Sequence, residues 1–456
     1  MKDRIAIWDI TSKCNLQCAH CYNQERYWEN ANLFPDISKE DIITIIDKMI
    51  YLKFTRIHLL GGEPLLSPNL EFIIEYGTKK GFEVSMVTNG TMLTQKKYKA
   101  FMEQGVSTIN ISLDGTNQAD NDFIRGTGSF NIVVKNLIDI REYRKKIGPK
   151  ETLPLQMSFT LTSKNIKGSA DLVDFSRLMG FDGVTLSYLS NEGKARDDFN
   201  DMAVSEEMKF RFIDGVMEAY KKYDDIDVYI DARGWLGEYV EKKYNIEIDV
   251  DTRGCKGGAD QFYILADGTL LPCSPSGTSM GAFLSNVIPT NYPNIITDDV
   301  ETIVDSVALK CFYNYTNNYE TYRTIIPCNN CKYECKACPL LYHTQTIVSE
   351  CVYAQKEIAK LEQIELKTIY EKQHHIRESR NKIYIDLVDF VSGDRYRLNE
   401  IGMFIWDNIN GLNTVGDISE HIGHLIEDNT PEEQLKHEIC EFVYELKKFH
   451  FIKKIK

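Results

Sequence analysis

The chain has no long apolar segment and no excess of positive charge. No uninterrupted apolar run approaches the length of about 18 residues that a membrane-spanning helix requires. The short apolar run near the N terminus does not have the pattern of a signal peptide. The net charge of −14 argues against nucleic acid as a partner, because binding to phosphates depends on a basic surface. We therefore expect a cytoplasmic protein that binds neither membranes nor nucleic acids.

Internal repeats and low-complexity tracts are also absent from the sequence. The length of 456 residues exceeds what one compact domain usually holds. The hydrophobic content of 43% and the charged content of 26% are typical of a globular protein. The composition therefore predicts a folded chain of two or three domains.

Cysteine, in contrast, is frequent, with 12 residues in the chain. In a chain without an export signal, this number indicates metal ligands rather than disulfides. Cys14, Cys18 and Cys21 form a CxxxCxxC motif directly after an apolar stretch that predicts a strand. Three thiolates can hold three irons of a cubane and leave the fourth iron open to a substrate. A zinc site is the alternative, although zinc sites usually combine two CxxC-like pairs across a longer gap.

This motif resembles the cluster loop of the radical S-adenosylmethionine (SAM) enzymes, in which the fourth iron of a 4Fe–4S cluster chelates SAM. The next 170 or so residues alternate strand-like apolar runs with amphipathic segments, in the pattern of parallel βαβ units. Six strands are predicted, at 5–10, 55–60, 83–88, 107–113, 155–161 and 183–189. Ser38 and Asp41 have the pattern of a helix cap. The expected fold class is α/β, with an open, partial (β/α)6 barrel like the radical SAM core.

Polar residues follow the predicted strands two, three and four, where the carboxyl ends of parallel strands meet. In radical SAM enzymes a GGEP motif after strand two holds the methionyl amino group of SAM. The resemblance therefore implies that the SAM site includes Gly61, Gly62, Glu63, Pro64, Asn89, Ser112, Asp114 and Arg125.

Individual roles follow from the same resemblance. Ser112 would lie near the carboxylate or ribose of SAM, and Asp114 would face SAM or the substrate. Arg125 is a candidate clamp on the SAM carboxylate, since a guanidinium can grip a carboxylate through two hydrogen bonds. A surface salt bridge is the alternative for Arg125. His20, between Cys18 and Cys21, is expected to pack near the adenine.

A second group of seven cysteines follows in the order Cys255, Cys273, Cys328, Cys331, Cys335, Cys338 and Cys351. This array resembles the SPASM extension of peptide-modifying radical SAM enzymes, which carries two auxiliary 4Fe–4S clusters. The resemblance implies one cluster on Cys328, Cys331, Cys335 and Cys351, and another on Cys255, Cys273 and Cys338. The spacing after Cys331 is shorter than the usual family pattern. Cys311 and Cys440 fit neither group, and Cys440 is expected to be a buried apolar thiol.

The last 75 or so residues have an apolar pattern of their own. Residues 382–398 alternate around a Ser-Gly-Asp turn and predict a hairpin. Three helices should follow, the first capped by Asn399, the second beginning near Thr414 and the third opened by Pro431. This arrangement resembles the PqqD-like recognition element of enzymes that act on ribosomally made, post-translationally modified peptides (RiPPs). A winged-helix dimerisation or DNA-binding module is the alternative.

The expected domains are a radical SAM core (1–195), a helical bridge (196–250), a SPASM domain (251–355), a helical linker (356–380) and a PqqD-like, winged-helix-like α+β domain (381–456). The resemblance implies a maturase that uses SAM and three 4Fe–4S clusters, one SAM-binding and two auxiliary. Its partners would be a precursor peptide with a leader, and an electron donor such as flavodoxin or ferredoxin.

The expected reaction is an oxidative crosslink in the precursor peptide. The bond would be either a thioether, as in sactipeptides and ranthipeptides, or a carbon–carbon link. Two alternatives stay open: oxidation of a protein serine or cysteine, as in sulfatase maturases, and a non-catalytic iron–sulfur electron carrier that binds a peptide. The sequence assigns no general base.

Overall fold

The computed structural model describes residues 4–27, 35–190, 192–197, 199–230, 234–245, 255–278, 281, 283–286, 288–317, 365–380, 384–389, 395–424, 432–448 and 451–455. The chain divides into two compact units, Met1–Val352 and Tyr353–Lys456. Among the helices within these ranges, none combines the length and the apolar character needed to cross a bilayer.

The first unit is built on a nine-stranded sheet. Its strands are β1 Arg4–Asp9, β2 Phe54–Leu60, β3 Glu83–Thr88, β4 Thr108–Ser112, β5 Leu155–Leu161, β6 Gly183–Tyr188, β7 Asp227–Ile230, β8 Gln261–Ile264 and β9 Leu270–Leu271. Their order in the sheet is β7-β6-β5-β4-β3-β2-β1-β8-β9. Every neighbouring pair is parallel except β8 and β9. The sheet is open, with β7 and β9 at its two edges.

Helices connect most of these strands. They are α1 Gln24–Tyr27, α2 Lys39–Tyr51, α3 Leu70–Lys79, α4 Gln95–Glu103, α5 Gln118–Arg125, α6 Ser129–Ile147, α7 Ser169–Met179, α8 Phe199–Met202, α9 Glu206–Tyr220, α10 Gly234–Tyr244, α11 Val300–Val304 and α12 Val307–Asn317. In α2 the Ser38 side chain accepts a hydrogen bond from the backbone N–H of Asp41, which confirms the predicted cap. The buried residues of α2 recur at helical spacing, so this helix covers the sheet with one apolar face.

The predicted α/β fold class is confirmed, and the six expected strands occur within one residue of their predicted ends. The predicted helical bridge over 196–250 includes the helices α8, α9 and α10, and also the short strand β7, which extends the parallel sheet beyond β6. This strand has four residues whose side chains are half-buried or exposed. An edge strand of that kind leaves no apolar alternation in the sequence.

The described residues of the second unit form three helices and a set of antiparallel strands. The strands are β10 Tyr370–Lys372, β11 Ile376–Arg380, β12 Ile385–Asp389, β13 Arg395–Leu398 and β14 Ile452–Lys454, and the helices are α13 Glu400–Asn408, α14 Val415–Gly423 and α15 Glu432–Lys448. The sheet β11-β12-β13 is antiparallel, and β10 pairs with β14. Asn399 caps α13, and Cys440 is buried in the core of this unit, as predicted. Pro431 lies outside the described residues.

The predicted helical linker over 356–380 is wrong where the structure describes it. Residues 370–372 and 376–380 are strands, whereas 356–364 lie outside the described residues. In β11 every side chain after Ile376 is exposed, so the strand has no apolar alternation. Its conformation comes from main-chain pairing with β12, a long-range contact that the local sequence does not encode.

Candidate active site

The carboxyl ends of the parallel strands open on a cavity of about 460 Å³. This volume lies within the range of roughly 300–1,000 Å³ that is usual for small-molecule sites. Its lining includes residues of the loop after β1, Leu60–Glu63, Val87–Asn89, Ser112 and Arg125. The rest of the lining comes from the ends of β5 and β6, Glu192 and Ser274–Pro275. The cavity therefore gathers most of the residues that the sequence predicts for the SAM site.

Cys14, Cys18 and Cys21 all line this cavity and carry free thiols. Burial raises the pKa of the Cys18 thiol, and it raises that of Cys21 to about 12. Within the described ranges, no three His, Cys, Asp or Glu side chains converge on a point that would hold a single metal ion. In a 4Fe–4S cluster each cysteine binds a different iron, so such convergence is not required. The three cysteine sulfurs that line the cavity therefore fit the thiolate ligands of a 4Fe–4S cluster with one open iron.

Gly61 and Gly62 bring the end of β2 against the backbone of the cysteine loop. The Gly62 N–H donates to Thr11 O over 2.9 Å, and the Glu63 N–H donates to Lys13 O over 2.7 Å. A Cβ atom on Gly61 would lie 2.3 Å from Thr11 O, and one on Gly62 would lie 2.2 Å from Lys13 O. Both positions therefore require glycine, because any side chain would push the loop away.

The carboxylate of Glu63 is fully buried and has three donors within the protein. Its Oε1 accepts hydrogen bonds from Thr88 Oγ1 over 2.6 Å and from the Leu65 N–H over 3.1 Å. Its Oε2 accepts a hydrogen bond from the Asn89 N–H over 2.7 Å. The carboxylate thus fixes the end of β3 to the GGEP turn, in addition to lining the cavity.

Asn89 contacts the cysteine loop directly. Its Nδ2 donates to Asn15 Oδ1 over 2.8 Å, and Asn15 Nδ2 donates to Thr91 Oγ1 over 2.9 Å. Asn15 is the residue after Cys14, so these bonds hold the beginning of the cluster motif. Asn89 therefore both lines the cavity and positions the cysteine loop.

Asp114, predicted to face SAM or the substrate, lies fully buried beneath the loop. Its Oδ2 lies 2.7 Å from His20 Nε2 and 2.6 Å from Arg125 Nε. Its Oδ1 accepts a hydrogen bond from the Thr160 N–H over 2.7 Å. Burial alone would raise the pKa of Asp114, but the charge of Arg125 and the contact with His20 lower it to about 2. The carboxylate is therefore ionised at neutral pH.

His20 and Arg125 share one buried partner, Asp114. His20 forms an ion pair or hydrogen bond with a buried carboxylate, which the expectation of simple packing did not include. The alternative of a surface salt bridge for Arg125 is wrong, because its side chain is 10% exposed and its partner is fully buried. Arg125 also lines the cavity, as does Ser112. With Nε at Asp114, the Arg125 guanidinium also lies beside Cys18, where its charge partly offsets the rise in the pKa of that thiol caused by burial.

Sequence reasoning missed two buried carboxylates near the site. Asp9, at the end of β1, accepts hydrogen bonds from Tyr27 Oη over 2.5 Å and from Tyr263 Oη over 2.7 Å. Glu192, after β6, lines the cavity and accepts a hydrogen bond from Thr278 Oγ1 over 3.1 Å. Neither residue belongs to a spaced motif, and only the polar character of a residue at a strand end could have pointed to Asp9.

Of the seven downstream cysteines, the structure describes two, and the other five lie outside the described residues. Cys255 and Cys273 are half-buried and pack against the same small apolar cluster, which contains Leu284 and Phe312. Cys273 directly precedes Ser274, which lines the cavity. The structure therefore places these two predicted ligands together and puts Cys273 one residue from the cavity lining.

Two family models match the chain. Residues 8–151 match the Radical SAM superfamily, and residues 387–452 match the family of coenzyme PQQ synthesis protein D (PqqD). The first match covers the cysteine loop and the strands β2–β4, and the second covers most of the second compact unit. The chain therefore contains a radical SAM domain followed by a PqqD-like domain.

Curated relatives are about a quarter identical to this chain over the segments that match. The Fe-coproporphyrin III synthase of Methanosarcina barkeri is 26% identical over 48% of this chain and 52% of its own length. The mycofactocin maturase MftC of Mycobacterium tuberculosis is 27% identical over 45% of this chain and 50% of its own length. The chain thus spans about half the length of these two relatives. The AdoMet-dependent heme synthase of M. barkeri is 24% identical over 59% of this chain and 76% of its own length.

Solved structures show the same fold. Streptococcus suis SuiB bound to S-adenosylmethionine superposes with a TM-score of 0.51 at 14% identity, over 75% of this chain and 71% of SuiB. The anSMEcpe structure with bound AdoMet and Kp18Cys peptide gives a TM-score of 0.54 at 16% identity, over 78% of this chain and 98% of the anSMEcpe chain.

Proposed function

We propose that this chain is a radical SAM maturase that introduces an oxidative crosslink into a ribosomally made precursor peptide. The observation that carries the proposal is the presence, in one chain, of a three-cysteine cavity and a PqqD-like domain. The cavity is suited to SAM and a cluster, and the second domain is suited to a peptide. The PqqD-like domain argues against an isolated electron carrier, and the cavity argues against a module that only binds a peptide.

Residues of the cavity fit SAM and one 4Fe–4S cluster. Cys14, Cys18 and Cys21 would hold the cluster, and the backbone at Gly61–Glu63 would hold the methionyl ammonium. Ser112 and the terminal nitrogens of Arg125 would hold the methionyl carboxylate. When bound and reduced, the pair supplies a 5′-deoxyadenosyl radical that abstracts a hydrogen atom. The protein contributes orientation, since the Asn89 side chain, the Glu63 N–H and the Asp114 carboxylate all contact the loop that carries the cysteines.

Two auxiliary 4Fe–4S clusters complete the proposal. One would be ligated by Cys328, Cys331, Cys335 and Cys351, and the other by Cys255, Cys273 and Cys338. The proximity of Cys255 to Cys273, and of Cys273 to the cavity lining, supports the second set. A flavodoxin or ferredoxin would supply electrons to the cytoplasmic enzyme.

The PqqD-like domain would bind the leader of the precursor as an added strand. Its antiparallel sheet β11-β12-β13 has edge strands, and main-chain pairing at such an edge is a common mode of peptide recognition. Tethering by the leader would raise the local concentration of the core peptide to about the millimolar range. The cavity itself could then bind each modified residue weakly.

The curated relatives allow a second candidate function. Two of them are named for heme and coproporphyrin synthesis, so a tetrapyrrole is the second candidate substrate class. The PqqD-like domain favours the peptide, as does the relative named as mycofactocin maturase. Oxidation of a protein serine or cysteine, as in sulfatase maturases, has no feature in this chain that favours it over the crosslink.

The test is high-resolution mass spectrometry of a peptide incubated with the reconstituted protein. The probe is the product of the short open reading frame nearest to the gene, with SAM and dithionite under anaerobic conditions. A loss of two hydrogens per modification without a new aldehyde, together with released 5′-deoxyadenosine, would support the crosslink. A gain of an aldehyde at serine or cysteine would favour the sulfatase-maturase chemistry. Modification of coproporphyrin III, with the peptide unchanged, would favour the tetrapyrrole.

A further inference from the structure

Helix α5 connects the surface of the protein to the cysteine loop. At its carboxyl end, the Ile124 carbonyl accepts a hydrogen bond from the Ala19 N–H over 2.7 Å. The next carbonyl, that of Arg125, lies 4.0 Å from Cys18 Sγ. Phe123, the residue before Ile124, has a side chain that is 58% exposed. An exposed aromatic ring is therefore linked to a predicted cluster ligand through one hydrogen bond and a few covalent bonds.

Two lysines flank this ring. The Lys164 ammonium lies 5.8 Å from the centroid of the Phe123 ring, and Lys167 is exposed on the same turn. The turn is fixed beside the loop before α5, because Asn165 Nδ2 donates to the Asp114 carbonyl over 3.0 Å. Neither lysine has an ion-pair partner among the described residues. The surface beside Phe123 therefore presents two positive charges that no carboxylate neutralises directly.

The acidic residues of α5 are bound at the amino ends of helices. Asp120 lies in the first turn of α5, where its carboxylate accepts a hydrogen bond from Asn117 Nδ2 over 2.8 Å. The carboxylate of Asp122 accepts hydrogen bonds from the N–H groups of Gly128 over 2.7 Å and of Phe130 over 2.9 Å, at the beginning of α6. The positive end of a helix dipole offsets a carboxylate in such a position. The two lysines therefore dominate the charge that a partner would meet at Phe123.

We propose that Phe123, Lys164 and Lys167 form the docking face for an acidic one-electron carrier protein, an inference that rests on the proposed function. The carrier loses one electron and the cluster of the cysteine loop gains it, and no proton or group is transferred. Electron transfer slows steeply with distance, so the carrier must bind where the path to a cluster ligand is short.

The chemistry of the docking face selects the partner. Aromatic side chains are enriched in protein interfaces, where a ring such as that of Phe123 becomes buried. An acidic carrier would be repelled by the net charge of −14 on this chain unless a local positive surface attracted it. The two lysines supply that surface beside the ring and beside the path to Cys18.

The test uses the cluster-loaded full chain, with a purified, reduced flavodoxin of net negative charge as the probe. Absorbance follows the rate of cluster reduction, and the dissociation constant is measured separately with oxidised flavodoxin. We expect Phe123→Ala and the double variant Lys164→Glu/Lys167→Glu each to lower the flavodoxin-driven rate about tenfold or more and to weaken binding to match. Reduction by dithionite should stay within about twofold of wild type. Added salt should slow the wild type more than the double variant.

Matched controls change the same residue types far from the cysteine loop. Lys145→Glu/Lys146→Glu reverses two exposed charges near the end of α6, about 24 Å along the helix axis from Ser129. Leu178→Ala removes an apolar side chain that is 61% exposed, beside the same end of α6, where Arg141 donates to the Leu178 carbonyl. Both controls should keep the flavodoxin-driven rate within about twofold of wild type.

Three results would overturn the inference. The first is a flavodoxin-driven rate equal to wild type in either docking-face variant. The second is an equal loss with flavodoxin and with dithionite, which would show that these residues shape the cluster loop rather than bind a donor. The third is a wild-type cluster that dithionite reduces and flavodoxin does not. A wild-type cluster that is reduced but releases no 5′-deoxyadenosine from SAM would instead overturn the proposed function.

Discussion

Asp114 and Arg125 form an ion pair of 2.6 Å beneath the cysteine loop, with the carboxylate fully buried and the guanidinium nearly so. The same carboxylate oxygen contacts His20, which lies between Cys18 and Cys21 in the sequence. The pair therefore connects the end of β4, the end of α5 and the cluster loop. A buried charge that loses its partner is strongly destabilising, because it has neither water nor a counter-ion.

The first prediction is that Asp114→Asn destabilises the protein by about 3–5 kcal/mol, since it leaves the Arg125 charge buried without a partner. Denaturant unfolding followed by circular dichroism measures the change. Glu103→Gln is the control, because Glu103 forms an exposed i,i+4 pair with Lys99. That change should stay within about 0.5 kcal/mol. Equal unfolding curves for Asp114→Asn and wild type would contradict the structural role of the pair.

The second prediction concerns binding of SAM by Arg125. Lysine at this position keeps a positive charge near Asp114 but loses the planar fork that can bind a carboxylate through two hydrogen bonds. We expect Arg125→Lys to raise the dissociation constant of SAM at least about tenfold, or about 1.4 kcal/mol. Equilibrium binding without reductant measures it. Arg177→Lys, at an exposed pair with Asp225, is the matched control and should leave binding unchanged.

The sequence predicted the parts of this fold that depend on local pattern. Strands β1–β6 each bury apolar residues in the core, so each appears as a run rich in apolar residues, and the cysteine and glycine motifs have fixed spacing. The strands β7 and β11 were missed because their side chains are largely exposed and their conformation depends on pairing with a neighbour. The contact between His20 and Asp114 was missed for a related reason. It joins residues 94 positions apart, and no local pattern specifies such a pair.

The third prediction compares a glycine where a side chain would collide with the cysteine loop with a glycine where a side chain would only strain the backbone. Gly62→Ala would place a Cβ atom 2.2 Å from Lys13 O, so the cluster loop would have to move. We expect this variant to lose up to about a third of the wild-type iron and sulfide, which is the share of one cluster in three, since cluster ligation needs all three loop cysteines in position. Gly81→Ala is the control: it has a φ of +90° but no atom within 4 Å of the added carbon. It should lose some stability and keep its full iron content.

The fourth prediction is a pH dependence of cluster assembly. Burial raises the pKa of Cys21 to about 12, and it also raises that of Cys18, so both thiols are protonated at neutral pH in the metal-free protein. Iron binds the thiolate, and cluster formation must therefore release protons. Releasing these protons is less unfavourable at higher pH. Reconstitution should therefore be faster at pH 9 than at pH 7, on the order of tenfold or more for each displaced proton. Absorbance of the cluster measures the rate, and a rate independent of pH would contradict the prediction.

The fifth prediction tests whether the PqqD-like unit acts through the leader. A chain ending at Val352 keeps the first compact unit and all three cluster-loop cysteines but lacks the second unit. It should still cleave SAM, because the described residues that line the cavity all belong to the first unit. Modification of the peptide at micromolar concentration should fall about 100-fold, since binding of the leader no longer raises the local peptide concentration to the millimolar range. Mass spectrometry of the peptide and chromatography of 5′-deoxyadenosine measure the two effects.

A matched control for this truncation uses the full chain with a peptide that lacks its leader. If the leader acts only through the second unit, removing the leader or the unit should cause the same loss. Removing both should cause no further loss, because the two changes break one interaction. Millimolar peptide should restore modification in all three cases, since it replaces the tether by mass action. A truncated chain that modifies the micromolar full-length peptide at the wild-type rate would show that recognition of the leader lies elsewhere.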